Sequence, residues 1–120
     1  MDKIRVLIAN HPIMVPDTVR RLVDEQDDME VVGDYRGPMK ILQETGRANA
    51  DVVILTQESE REPGICSQLL AAYPDLIIMS VTLDLTATCT FQLTSHRRDF
   101  INMGQEDIVQ RLREATRIGH

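Results

Sequence analysis

The stretch Asp51-Val52-Val53-Ile54-Leu55-Thr56 constrains what this chain can fold into more than any other. It is a run of aliphatic, mostly β-branched residues between turn-prone Ala48-Asn49-Ala50 and polar Gln57-Glu58-Ser59-Glu60. A strand without polar alternation is buried on both faces, which is the position of a central strand in a parallel sheet covered by helices. In such sheets reactive groups sit just beyond the carboxyl ends of the strands. Thr56 occupies that place with no obvious base beside it, a first sign that chemistry is missing there.

The remaining runs supply the partners of that strand. Ile4 to Ile8 reads as a first strand, and Val15, Val19, Leu22 and Val23 then recur at helical spacing. They predict a helix over residues 14–25 with Pro16 in its first turn, where a missing N–H costs nothing. Met29-Glu30-Val31-Val32-Gly33 predicts a second strand stopped by its glycine, and Gly37-Pro38 opens a second helix through Ile41 and Leu42 that Gly46 ends. The Glu62-Pro63-Gly64 turn leads into a third helix with Ile65, Cys66, Leu69, Leu70 and Tyr73 on one stripe, ended by Pro74-Asp75. Leu76 to Ser80 reads as a fourth buried strand and Phe100-Ile101 marks a fifth. A last helix turns Ile108, Val109, Leu112 and Ala115 inward, with Glu106 and Asp107 in its first turn and Arg113 and Arg117 near its end, as the helix dipole favours. Strands alternating with helices predict a three-layer α/β fold, a parallel sheet with right-handed crossovers and helices on both faces.

One segment breaks the rhythm. Where a fourth crossover helix belongs, apolar Ala87, Cys89, Phe91 and Leu93 alternate with Thr88, Thr90, Gln92 and Thr94. Period two with many threonines favours an extended segment, because β-branching restricts side chains in a helix and packs well on a pleated sheet. The competing reading is a poor helix rescued by tertiary packing.

Length and charge narrow the function. With 120 residues the chain is expected to form one domain, residues 1–120, that closes a core without disulfide or metal. A net charge of −6 with Lys3 and Lys40 as the only lysines argues against direct nucleic-acid binding. No apolar run approaches a bilayer span and the first residues lack the pattern of a signal peptide, so a cytoplasmic location with no membrane contact is expected. Cys66 and Cys89 lack metal-ligand spacing and read as reduced, buried thiols.

Taken in order, Ile4-Arg5-Val6-Leu7-Ile8-Ala9-Asn10-His11, Met29-Glu30-Val31-Val32-Gly33 and Asp51-Val52-Val53-Ile54-Leu55-Thr56 resemble the receiver domain of bacterial response regulators, most of all those preceding a helix-turn-helix output domain. No single motif is specific; the ordered set is, and it covers nearly the whole chain. The resemblance implies a flavodoxin-like, five-stranded parallel sheet of order 2-1-3-4-5, here with the fourth helix altered or replaced by an extended segment. It also implies a place in two-component phosphorelay signalling. In that family an aspartate ends the third strand and accepts a phosphoryl group, two acids after the first strand hold Mg²⁺, a Ser or Thr ends the fourth strand and a lysine ends the fifth. A carboxylate attacks phosphorus, the cation neutralises the phosphoryl oxygens, and hydroxyl and lysine read the product.

Carried over residue by residue, the acid pair becomes Asn10 and His11, the phosphoacceptor Thr56 and the lysine Asn102, and only Ser80 matches. Asp99 stands where the family often has a switch aromatic. An amide and an imidazole do not replace two carboxylates around a hard cation, and a threonine hydroxyl is a poor nucleophile without a base. The expectation is a degenerate receiver, not an enzyme and without cofactor, that works by contact with a protein partner or a second copy of itself. The contact is expected on residues 84–99, with Ala87, Cys89, Phe91, Leu93 and Asp99 as its surface, through an unpaired strand edge; the plainer reading is that the apolar members pack on the core.

The same residues offer other roles. His11 as a base for Thr56, a cation at Glu58, Glu60 and Glu62, a zinc site from His11, Cys66, Cys89 and His96, and phosphorylation of Thr56 by a separate kinase all rank below structural roles. Two alternatives for the whole domain remain. One is transcription control through a DNA-binding output domain, although no helix-turn-helix begins in residues 100–120. The other is a small-molecule sensor with its ligand among Asn10, His11, Thr56 and Ser80.

Overall fold

The computed structural model describes residues 3–57, 64–91, 98–101 and 106–118. The aliphatic runs become β1 (Ile4–Ala9), β2 (Met29–Tyr35), β3 (Val52–Thr56) and β4 (Ile77–Val81), followed by β5 (Ala87–Phe91) and β6 (Arg98–Ile101). Helices α1 (Asp17–Asp24), α2 (Pro38–Arg47), α3 (Gly64–Ala72) and α4 (Glu106–Ile118) complete the described elements. All six strands share one sheet in the order β2-β1-β3-β4-β5-β6.

The β2-β1-β3-β4 part is parallel throughout and reproduces the flavodoxin-like order expected from the sequence. The aliphatic strand β3 lies inside it and is fully buried. Val52 and Ile54 point to one face and pack with Val19, Val23, Ile108 and Leu112 of α1 and α4. Val53 and Leu55 point to the other and pack with Ile41, Ile65, Cys66 and Leu69 of α2 and α3. Period two inside an uninterrupted apolar run thus feeds two cores at once.

The threonine-rich segment is a strand. β5 pairs antiparallel with β4, setting Ser80 against Cys89 and Val81 against Thr88, and β6 pairs antiparallel with β5 on its far side. The strand expected fifth, at Phe100-Ile101, therefore lies outside β5 instead of parallel beside β4. A connection as short as residues 82–86 can only return antiparallel, since a parallel return needs a crossover of a dozen residues or more. Thr88 is buried, and its hydroxyl donates to the Ser80 carbonyl at 2.6 Å, so its polar group is paired inside the sheet.

Three boundaries differ from the sequence reading. Pro16 stands just before α1, which begins at Asp17, and does not lie in the first turn. Gly33 does not stop β2. The ladder slips between Val6↔Val31 and Leu7↔Gly33, and the strand runs on to Tyr35, whose ring crosses the glycine so closely that a Cβ there would lie 2.5 Å from it. Gly46 does not end α2 either: it lies within the helix, where an added Cβ would lie 2.6 Å from the Tyr73 hydroxyl. The helix ends at Arg47 with Ala48 as its cap, and the chain leaves it through Asn49, left-handed at φ 51, with the Asn49 N–H donating to Gly46 O at 3.2 Å and the Ala50 N–H to Thr45 O at 3.1 Å. That is a Schellman closure with asparagine where glycine is usual.

Candidate functional site at the carboxyl edge of the sheet

Parallel strands carry their carboxyl ends to one edge, so Asn10, Asp34, Thr56 and Ser80 arrive together from β1, β2, β3 and β4. Asn10 is buried and fully engaged. Its Oδ1 accepts the Val15 N–H at 2.8 Å, and its Nδ2 donates to Asp34 Oδ1 at 2.5 Å and to the Tyr35 carbonyl at 3.2 Å. The second oxygen of Asp34 accepts from Arg20 Nη1 of α1 at 2.8 Å. A guanidinium thus neutralises the carboxylate beside Asn10 from within the chain.

Thr56 is fully buried, and its hydroxyl donates to the Met14 carbonyl at 3.3 Å. The hydrogen a base would remove is directed at a backbone oxygen and not at His11, which is half-buried in the loop after Asn10. Ser80 donates to Gln57 Oε1 at 2.6 Å, and the Gln57 N–H reaches the Val81 carbonyl at 2.9 Å. The four strand ends are stitched by hydrogen bonds, one of them to the Asp34 carboxylate, and by one ion pair. Nothing in this arrangement activates a nucleophile.

Three of the positions named from the sequence, Asn10, Thr56 and Ser80, are buried together at this edge, with His11 on the loop beside it; Asn102 lies outside the described residues. Arg20, Asp34 and Gln57 were missed. Asp34 was legible in principle, because the end of a strand flanking β1 must approach Asn10, but ending β2 at Gly33 concealed it. Arg20 could be found only by knowing which way α1 packs.

The expected contact surface needs correction. Cys89 is 6% exposed and belongs to the core under α2 and α3, and Ala87 is half-buried. β5 is paired on both sides, so on this side of the sheet the edge strand is β6, as β2 is on the other. The cause is the added strand: a segment replacing a helix entered the sheet and was itself covered. Phe91 and Asp99 enter through backbone pairing, with Ile78 and Cys89 respectively, and Leu93 lies outside the described residues. Glu58, Glu60, Glu62 and His96 also lie outside them, and among the described residues no three His, Cys, Asp or Glu side chains are grouped to hold a metal.

A cleft of about 410 Å³ opens at the opposite edge of the sheet, lined in part by Gly46, Asn49, Asp51, Tyr73 and Asp75. Among the described residues no helix is long and apolar enough to cross a membrane.

No family model matches the chain. It is 35% identical over 83 residues to a protein-glutamate methylesterase/protein-glutamine glutaminase of group 2 operon from Bradyrhizobium diazoefficiens, a match covering 67% of this chain and 21% of the relative. A protein-glutamate methylesterase/protein-glutamine glutaminase from Nitrobacter hamburgensis is 32% identical over 85 residues, covering 68% of this chain and 22% of that protein. The chain spans about a fifth of the length of these curated relatives. Together with the fold, the similarity supports a receiver-type signalling domain.

Proposed function

We propose that this domain is a pseudo-receiver: a signalling module that acts through phosphorylation-independent protein contact, pairing with a second copy of itself. The observation carrying this reading is the internal closure of the carboxyl edge. Where two acids and a divalent ion would work, Asn10 is spent on Val15, Asp34 and Tyr35, and Arg20 supplies the positive charge. Where an aspartate would accept phosphorus, the buried Thr56 hydroxyl is bonded to Met14. A fold retained without its reaction leaves surface recognition as the task, and no enzymatic step belongs to this reading.

The test is an amide NMR spectrum recorded before and after Mg²⁺ with beryllofluoride, and again with acetyl phosphate. The expected result is no change. Shifts clustered at Asn10, Thr56 and Ser80 would overturn the pseudo-receiver reading.

A further inference from the structure

Among the described residues three large hydrophobic side chains are exposed: Met14 at 52%, Met39 at 67% and Leu83 at 58%. The core has taken up almost every other residue of this kind, so their common location is informative. Met14 follows β1, Met39 begins α2 just after β2, and Leu83 is in the loop after β4. All three therefore crown the same carboxyl edge, over the closed site. Sheet order sets them out in a line: Met39 on the β2 side, Met14 over β3 through the Thr56 bond to its carbonyl, Leu83 beyond β4. At ~4.8 Å between strands the span from β2 to β4 is roughly 14 Å.

The two ends of that line carry opposite charge. On the β2 side Arg36 is exposed, with no ion pair among the described residues, and Lys40 lies 5.7 Å over the Tyr35 ring with its ammonium 3.2 Å from Glu44. On the β4 side Asp84 is exposed. It accepts hydrogen bonds from the Thr82 and Thr86 hydroxyls at 2.7 and 2.8 Å, and no cation pairs with it among the described residues. An edge that, among the described residues, has an exposed arginine at one end, an exposed aspartate at the other and exposed apolar side chains between them is complementary to itself when turned through a two-fold axis.

We infer that a second copy of this chain docks on the carboxyl edge, with Met14 near the axis and Arg36 of each copy facing Asp84 of the other. This rests on the reading of the domain as a self-pairing pseudo-receiver and gives that pairing its surface. It also explains what the altered segment contributes. Its strand is covered, but the loop it forms with β4 presents Leu83 and Asp84. Flexible methionines suit a contact that must fit closely without a preformed groove. The paired charges set the register, since the wrong orientation would oppose like charges.

The test is sedimentation velocity over a concentration series on the wild type, Met14→Glu, Arg36→Glu and Asp84→Arg, with circular dichroism to establish folding. The wild type is expected to dimerise, and Met14→Glu and Arg36→Glu each to weaken the dimer by about tenfold or more, the size of effect expected from opposed like charges or a charge in an apolar contact. An equimolar mixture of Arg36→Glu and Asp84→Arg is expected to associate more tightly than either alone, because the mixed dimer restores opposite charges at both ends. Should Asp84→Arg fail to fold, Asp84→Asn, whose side-chain oxygen can still accept from the Thr82 and Thr86 hydroxyls, takes its place in the mixture, where one opposite-charge pair is kept and no like-charge pair remains. A dimer indifferent to Met14→Glu and Arg36→Glu would overturn this surface while leaving self-pairing intact. A mixture no tighter than its parts would overturn the proposed register, and a wild type monomeric at all concentrations would overturn the self-pairing reading itself.

Discussion

Arg20 of α1 holds Asp34 of β2 at 2.8 Å, and the other oxygen of that carboxylate receives the Asn10 amide at 2.5 Å. The ion pair is partly exposed, with Arg20 at 51% and Asp34 at 34%, so solvent screens it. The buried half of the network matters more. Asn10→Ala leaves the buried Val15 N–H without its acceptor, and the expected cost is about 1–3 kcal/mol. Arg20→Ala is expected to cost less than about 1 kcal/mol. Urea denaturation of the two variants checks the order; a larger loss for Arg20→Ala would show that the ion pair dominates.

Gly46 and Tyr73 predict a reversal of an ordinary rule. Glycine to alanine within a helix normally stabilises by up to about 1 kcal/mol. Here the new methyl would lie 2.6 Å from the Tyr73 hydroxyl, which is committed to the Leu42 carbonyl. Gly46→Ala is therefore expected to destabilise by about 1–3 kcal/mol, the range for overpacking. Combining it with Tyr73→Ala should remove most of that penalty in a double-mutant cycle read by thermal unfolding.

Leu85 is left-handed at φ 59, yet its side chain is 4% exposed in the core under α1 and α4. Leucine there accepts backbone strain of about 1–2 kcal/mol in exchange for burial, whose loss on truncation to alanine costs about 2–5 kcal/mol. Both Leu85→Ala and Leu85→Gly should destabilise, but the glycine variant should be the more stable by about 1 kcal/mol because it alone relieves the strain. Chemical denaturation with alanine above glycine would contradict this.

Glu44 sits on the inner side of α2 with Lys40 at 3.2 Å and Arg47 at 3.1 Å. Hydrogen bonding to Lys40, helped by a smaller contribution from Arg47, outweighs desolvation and holds its carboxyl below the ordinary value of 4.5. A depressed folded-state value means that the contribution is present above the unfolded value and is lost as pH falls through the folded one. The stability difference between wild type and Glu44→Gln is therefore expected to be constant near neutrality and to shrink as pH falls below about 4.5. A difference that grows on acidification would mean the carboxylate is held by something else.

The sequence alone determined the layers and the absence of carboxylates at positions 10, 11 and 56. Aliphatic runs such as Val52 to Leu55 can be satisfied only by burial on both faces, and helical spacing at Val19, Val23, Ile108 and Leu112 supplies the cover, so the α/β order was local information. The identities at 10, 11 and 56 were equally plain, because a carboxylate is either present in the chain or not. Period two at residues 87–90 likewise announced an extended segment. Tertiary structure decided the rest. Whether Thr88 and Cys89 faced solvent or core depended on β5 entering the sheet beside β4, a placement that no property of residues 87–90 encodes. Gly33 and Gly46 looked like stops because glycine often is one; what they do is make room for Tyr35 and Tyr73, rings that reach them only after folding. The Arg20–Asp34 pair and the exposed line of Met39, Met14 and Leu83 arise the same way, since residues separated along the chain share an edge only once parallel strands bring their ends together.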